Sequence, residues 1–117
     1  MKLTEFGKFT RKLRIEKGEL LKDMAEKLDV TVSYLSAVEV GKRNIPEKWE
    51  KKLVDAYQLN ENESENLRDS IHYSKKDVKI NVEKLDREDK DLVLLLARKL
   101  ETLDSKEKKE LKSILFD

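Results

Sequence analysis

Apolar residues recur at helical spacing along the first two thirds of the chain. Phe6, Phe9 and Leu13, with Ile15 as a less regular fourth, predict a first helix over Thr4–Glu16 that Gly18 stops. Leu20, Leu21, Met24, Ala25 and Leu28 repeat the spacing over a brief second segment ending at Asp29. Thr31 is placed to cap a third helix with Leu35 and Val38 facing inward, which Gly41 closes before the loop Lys42-Arg43-Asn44-Ile45-Pro46. Pro46 suits a first helical turn, after which Trp49, Leu53, Ala56 and Tyr57 form one face of a fourth helix. Asn60 with Glu63 three residues on reads as a capping box for a fifth helix carrying Leu67 and Ile71.

The pattern lapses around His72–Asp77 and then changes period. Val78, Ile80 and Val82 alternate with Lys79, Asn81 and Glu83, which predicts a half-buried strand. One strand is not stable alone, and with no second strand visible a symmetry mate is its most economical partner. Leu92 to Leu96, Leu100 and Leu103 then predict a helix too apolar around its circumference for a solvated face. A last helix from about Ser105 carries Leu111, Ile114, Leu115 and Phe116.

Composition narrows the function classes. In 117 residues, 44% charged, 26 Lys+Arg nearly cancel 25 Asp+Glu, so the net charge of +1 does not by itself announce a polyanion binder. Residues 1–48 are weakly basic and the remainder weakly acidic, with Lys8, Arg11 and Lys12 expected on the open side of the first helix. No cysteine and a single histidine, His72, leave no thiolate or histidine-rich metal site. The longest apolar run, Leu92–Ala97, falls far short of a membrane span, and Met1–Glu5 contains nothing like a signal-peptide core, so a cytoplasmic location is expected. No nucleophile stands beside a base and no glycine-rich loop could cradle phosphate, so no enzymatic activity, cofactor or metal is expected.

Two short helices about three residues apart, with small Ala25 inside the first, meet the packing demand of a DNA-reading helix-turn-helix. The stretch from Phe6 to about Ile71 resembles the Xre/lambda-repressor-like helix-turn-helix family. Its most specific piece is Ser36-Ala37-Val38-Glu39-Val40-Gly41-Lys42-Arg43, read together with Met24-Ala25. The resemblance implies an all-α fold with a five-helix DNA-binding domain over residues 1–72; the short strand and two helices over 76–117 lie outside the resemblance and are read from their own pattern as a dimerisation or interaction segment.

The resemblance also implies roles for individual residues. Thr31, Val32, Ser33, Ser36 and Ala37 fall where the family meets base edges, and Lys22, Tyr34, Lys42, Arg43 and Asn44 where phosphate contacts are usual. Arg14 and Glu39 occupy positions of a structural ion pair. No Arg, Gln or Asn stands among the base-facing five, so methyl contacts, water and DNA shape are expected to carry more of the sequence preference than usual. Leu21 departs from a DNA-touching Gln common in relatives, and Asp29 from a turn Gly.

The expected function is that of a dimeric transcriptional regulator of bacterial or phage type, a repressor reading an inverted-repeat operator through the helix at about residues 31–40. Its partners are double-stranded DNA and a second copy, with Val78, Ile80, Val82, Leu92, Leu95, Leu96, Leu100 and Leu103 as dimerisation candidates. The alternative is an antitoxin or partner-controlled autorepressor whose C-terminal helices bind another protein.

Overall fold

Five helices come first in chain order, all but the fourth begun or ended by a cap that its sequence supplies. The structure, a computed structural model, describes residues 2–116. Helix α1 spans Glu5–Lys17, α2 Leu21–Lys27, α3 Val32–Glu39, α4 Trp49–Tyr57 and α5 Glu61–Ser74. The Thr4 hydroxyl accepts from the Gly7 amide to start α1, and Thr31 does the same for α3 with Tyr34. At α5, Asn60 and Glu63 exchange side-chain and backbone hydrogen bonds in a complete capping box. Leu20 has no polar side chain with which to cap α2, so the Asp23 carboxylate accepts from the Leu20 amide instead.

Helices α1 to α4 all stop at a residue in the left-handed region. Gly18 and Gly41 end α1 and α3, while Asp29 (φ 58°) and Gln58 (φ 49°) do so after α2 and α4. Each stop brings a downstream amide onto a carbonyl of the last turn: Glu19 to Arg14, Val30 to Ala25, Lys42 to Ala37 and Leu59 to Val54. Asp tolerates this conformation better than most residues, but Gln carries a Cβ penalty with no compensating preference. Gln58→Gly is therefore expected to raise stability by about 0.5–1 kcal/mol, read as a higher urea midpoint at unchanged m-value. An unchanged midpoint would mean that the backbone there relaxes at no cost.

Helices of seven and eight residues are not stable alone, so α2 and α3 depend on burial. One core draws on all five helices: Phe6 and Leu13, Met24 and Leu28, Leu35 and Val38, Trp49 and Leu53, and Leu67 are all nearly inaccessible. Each fully buried leucine contributes about 1.5–3 kcal/mol, enough to offset the poor intrinsic stability of a two-turn helix. Helix α1 packs against α5, α3 and α2, so it is the element to which the others are referred. A polar clip adds to this packing. Lys27 on α2 lies over the Tyr57 ring of α4, 4.3 Å from its centroid, and pairs with Glu19, which also accepts the Tyr57 hydroxyl. Burial, then that carboxylate, raises the Tyr57 pKa well above the ordinary tyrosine value.

Four sequence expectations are corrected. Val78–Val82 forms no strand: a strand needs a ladder partner, none is present among the described residues, and the Asn81 side chain instead accepts from the Glu83 amide to start a turn. Ala56 is exposed, and Val54 and Leu59 accompany Trp49, Leu53 and Tyr57 in the core. Ile15 likewise faces solvent. Helix α5 continues to Ser74, past the lapse in apolar spacing, because Ser74 donates to the Ser70 carbonyl and accepts from the Phe6 amide of α1.

The chain divides into two units, Met1–Val78 and Lys79–Asp117. The second holds α6 (Arg87–Lys99), a 3₁₀ turn at Leu100–Thr102 and α7 (Ser105–Leu115). The leucine-rich helix, expected to include Leu100 and Leu103, ends at Lys99 and tightens into the 3₁₀ turn, with the Lys99 carbonyl accepting from both the Thr102 hydroxyl and the Leu103 amide. Asp86 caps α6, and Asp104 with Glu107 forms a capping box for α7. Both helices are thus well begun, yet neither contains a buried residue.

Candidate nucleic-acid interface

The α2–α3 pair is held by its turn. Leu28 is fully buried, Asp29 reverses the chain, and Ala25, buried beneath, lends its carbonyl to the Val30 amide. This fixes the start of α3 four residues after Leu28. One side of α3 then enters the core through Leu35, Val38 and Glu39, and the opposite side, Val32, Ser33 and Ser36, stays open to solvent. Thr31 is exposed at the N-cap with its oxygen accepting from the Tyr34 amide, which leaves its hydroxyl proton free to donate. Ala37 is half-buried. The open surface of α3 therefore offers hydroxyls and methyl groups and no long polar side chain.

Cations gather at the other end of α3. The turn at Gly41 (φ 81°) brings the Lys42 and Arg43 amides onto the Ala37 carbonyl, so this basic loop is anchored to the helix. The Lys42, Arg43 and Asn44 side chains are exposed. Arg43 lies over the Tyr34 ring, 5.1 Å from its centroid, and Tyr34 meets Trp49 edge-on at 5.9 Å, with Trp49 in turn 6.1 Å from Phe6. A run of aromatic rings thus connects the core to a surface guanidinium and limits its freedom. Lys22 is exposed on the first turn of α2, and no hydrogen bond or ion pair joins it to the other candidates among the described residues.

Glu39 fixes how α3 sits on α1. Its carboxylate accepts both terminal nitrogens of Arg14, the longer bond being 3.1 Å, and the Thr10 hydroxyl. Arg14 is 7% exposed and Glu39 4%, so the pair is shielded from water. The Glu39 backbone is engaged as well, its carbonyl accepting from the Thr4 amide (2.9 Å) and hydroxyl (3.1 Å). Gly7 of α1 lies so close that an added Cβ would stand 2.3 Å from that carbonyl oxygen. Thr4, Gly7 and Thr10 were not singled out from the sequence in these roles. The one available signal was Gly7 itself, an isolated glycine inside a helical pattern, which often marks a close approach.

The dimerisation candidates are mostly open. Val78, Ile80, Leu92, Leu95, Leu96 and Leu100 are exposed, and Val82 and Leu103 are half-buried. Among the described residues no helix is long and apolar enough to cross a membrane.

A family model described as Helix-turn-helix matches residues 11–63, from within α1 to the first turn of α5. No curated protein and no solved structure matches the chain. The match takes in the α2–turn–α3 unit, the basic loop after it and both partners of the Arg14–Glu39 pair. Residues 11–63 are accordingly similar to the Xre/lambda-repressor-like helix-turn-helix family, a family of DNA-binding regulator domains.

Proposed function

We propose that the protein is a dimeric repressor that covers an inverted-repeat operator. In this reading α3 lies in the major groove with Thr31, Val32, Ser33, Ser36 and Ala37 toward base edges. Lys22, Tyr34, Lys42, Arg43 and Asn44 contact phosphates. The observation that carries it is the uncommitted outer side of α3, open at Val32, Ser33 and Ser36, joined to an anchored basic loop. Small hydroxyl and methyl groups discriminate bases weakly, so one subunit binds modestly and a pair reading two half-sites binds tightly. Dimerisation through the second unit meets that need. The alternative, a partner-controlled autorepressor, draws on the same exposed leucines and places another protein there.

Binding of the full chain to its own promoter fragment at two salt concentrations tests the reading. Affinity is expected to fall steeply as salt rises. Arg43→Ala is expected to weaken binding similarly on all sequences and to lower the magnitude of the logarithmic salt slope by about 1. Val32→Ala is expected instead to relax operator preference by about tenfold while the salt slope is kept, since a lost thymine-methyl contact changes specificity and not charge. The absence of any protected site, together with salt-independent binding, would overturn the proposal.

A further inference from the structure

The second unit begins both of its α-helices with side-chain caps yet gives neither a fully buried residue. Leu92, Leu95, Leu96 and Leu100 are 61, 48, 39 and 47% exposed, and α6 and α7 include no buried residue. Several adjoining leucines open to water on one short helix form the kind of patch that marks an interaction surface.

The charges on α6 indicate what covers it. Counting from Glu88, residues four, seven, eight and eleven positions on are Leu92, Leu95, Leu96 and Lys99, which at 3.6 residues per turn share one face. That face thus reads acid, leucine, base from its N-terminal to its C-terminal end. The flanking turns repeat the polarity: Asp86, Glu88, Asp89 and Asp91 outnumber Arg87 and Lys90 at the start, and Arg98 and Lys99 stand together at the end. A face with this order is complementary to itself turned end for end. Two copies laid antiparallel across a two-fold axis put Glu88 of each against Lys99 of the other and bury the leucines between them. A parallel pair would instead set Glu88 on Glu88 and Lys99 on Lys99. The helix dipoles favour the same orientation.

We infer that α6 pairs antiparallel with α6 of a second copy, through Leu92, Leu95 and Leu96 with Leu100 just past the helix end, and with reciprocal Glu88–Lys99 contacts fixing the orientation. The inference rests on the dimeric reading above and adds its surface and direction.

A charge swap on the full-length chain tests it, with sedimentation equilibrium as the readout and circular dichroism as the check on folding. Glu88→Lys and Lys99→Glu each turn two symmetric attractions into repulsions, so each is expected to raise the dimer dissociation constant about tenfold. The double variant Glu88→Lys/Lys99→Glu restores both attractions and is expected to return to within about twofold of wild type. Leu96→Asp, which disturbs no buried side chain, is expected to give monomers of unchanged helix content. A monomeric wild-type chain overturns the inference, as do single reversals without effect or a double variant weaker than either single. Operator binding by the same samples separates the two readings: a monomer that still protects DNA removes the pairing alone, and a dimer with the expected swap behaviour that protects nothing removes the DNA reading alone.

Discussion

Glu39→Ala is expected to lower stability by about 3–5 kcal/mol, the cost of leaving a shielded guanidinium without its counter-charge. Arg14 reaches no alternative carboxylate among the described residues; its other contact is the Met24 sulfur at 3.2 Å. Thr10, fully buried, would lose the same acceptor and retain only the carbonyls of Phe6 and Gly7. Glu39→Gln keeps one acceptor for both donors and removes the charge, so a smaller loss is expected. Arg14→Met/Glu39→Leu removes both buried charges together and is expected to cost clearly less than the two single changes summed, because neither partner is then stranded. Urea unfolding of the wild type and these variants, with the Arg14→Met and Glu39→Leu singles included, measures these differences. A loss below about 1 kcal/mol for Glu39→Ala would mean that water reaches the pair, as at an exposed salt bridge.

The same pair shows where sequence reading succeeds and where it stops. Helices α1, α3 and α5 are legible because their signals are local: a capping Thr or Asn, a terminating Gly, and leucines or phenylalanines three and four residues apart. The left-handed stop at Asp29 is legible for a similar reason, since Asp is tolerated there, whereas Gln58 adopts the same conformation with nothing in its chemistry to announce it. Periodicity also misled. Val78–Val82 alternates like a strand, but alternation specifies which side of a strand is apolar and not that a partner exists to receive its hydrogen bonds. Contacts between residues far apart in sequence are the least legible. Nothing in spacing relates Arg14 to Glu39, and their pairing was implied only by resemblance. The contacts of Thr4 and Gly7 with the Glu39 backbone and the stacking of Arg43 on Tyr34 needed coordinates.

Gly7→Ala is expected to destabilise by about 3 kcal/mol although it improves the intrinsic helix propensity of α1 by about 1 kcal/mol. The steric term wins because of what the new methyl would meet. Its neighbours are the Glu39 carbonyl oxygen at 2.3 Å, carbonyl carbon at 3.0 Å and Cα at 3.2 Å, all backbone, so no side chain can rotate aside. Relief requires α1 and the end of α3 to separate, which lengthens both Thr4 hydrogen bonds to Glu39 and pulls the carboxylate from Arg14 and Thr10. Thermal or urea unfolding reads the loss, and a gain in stability would show that the two helices stand further apart than this geometry requires. Because the shift acts on the helix that carries Val32, Ser33 and Ser36, DNA affinity of the folded fraction is expected to fall as well. An Ala exchange at an exposed site of α1, such as Lys12→Ala, should by contrast leave stability within about 0.5 kcal/mol. The residue that contributes least side chain to α1 is thus the one that sets how α3 is presented.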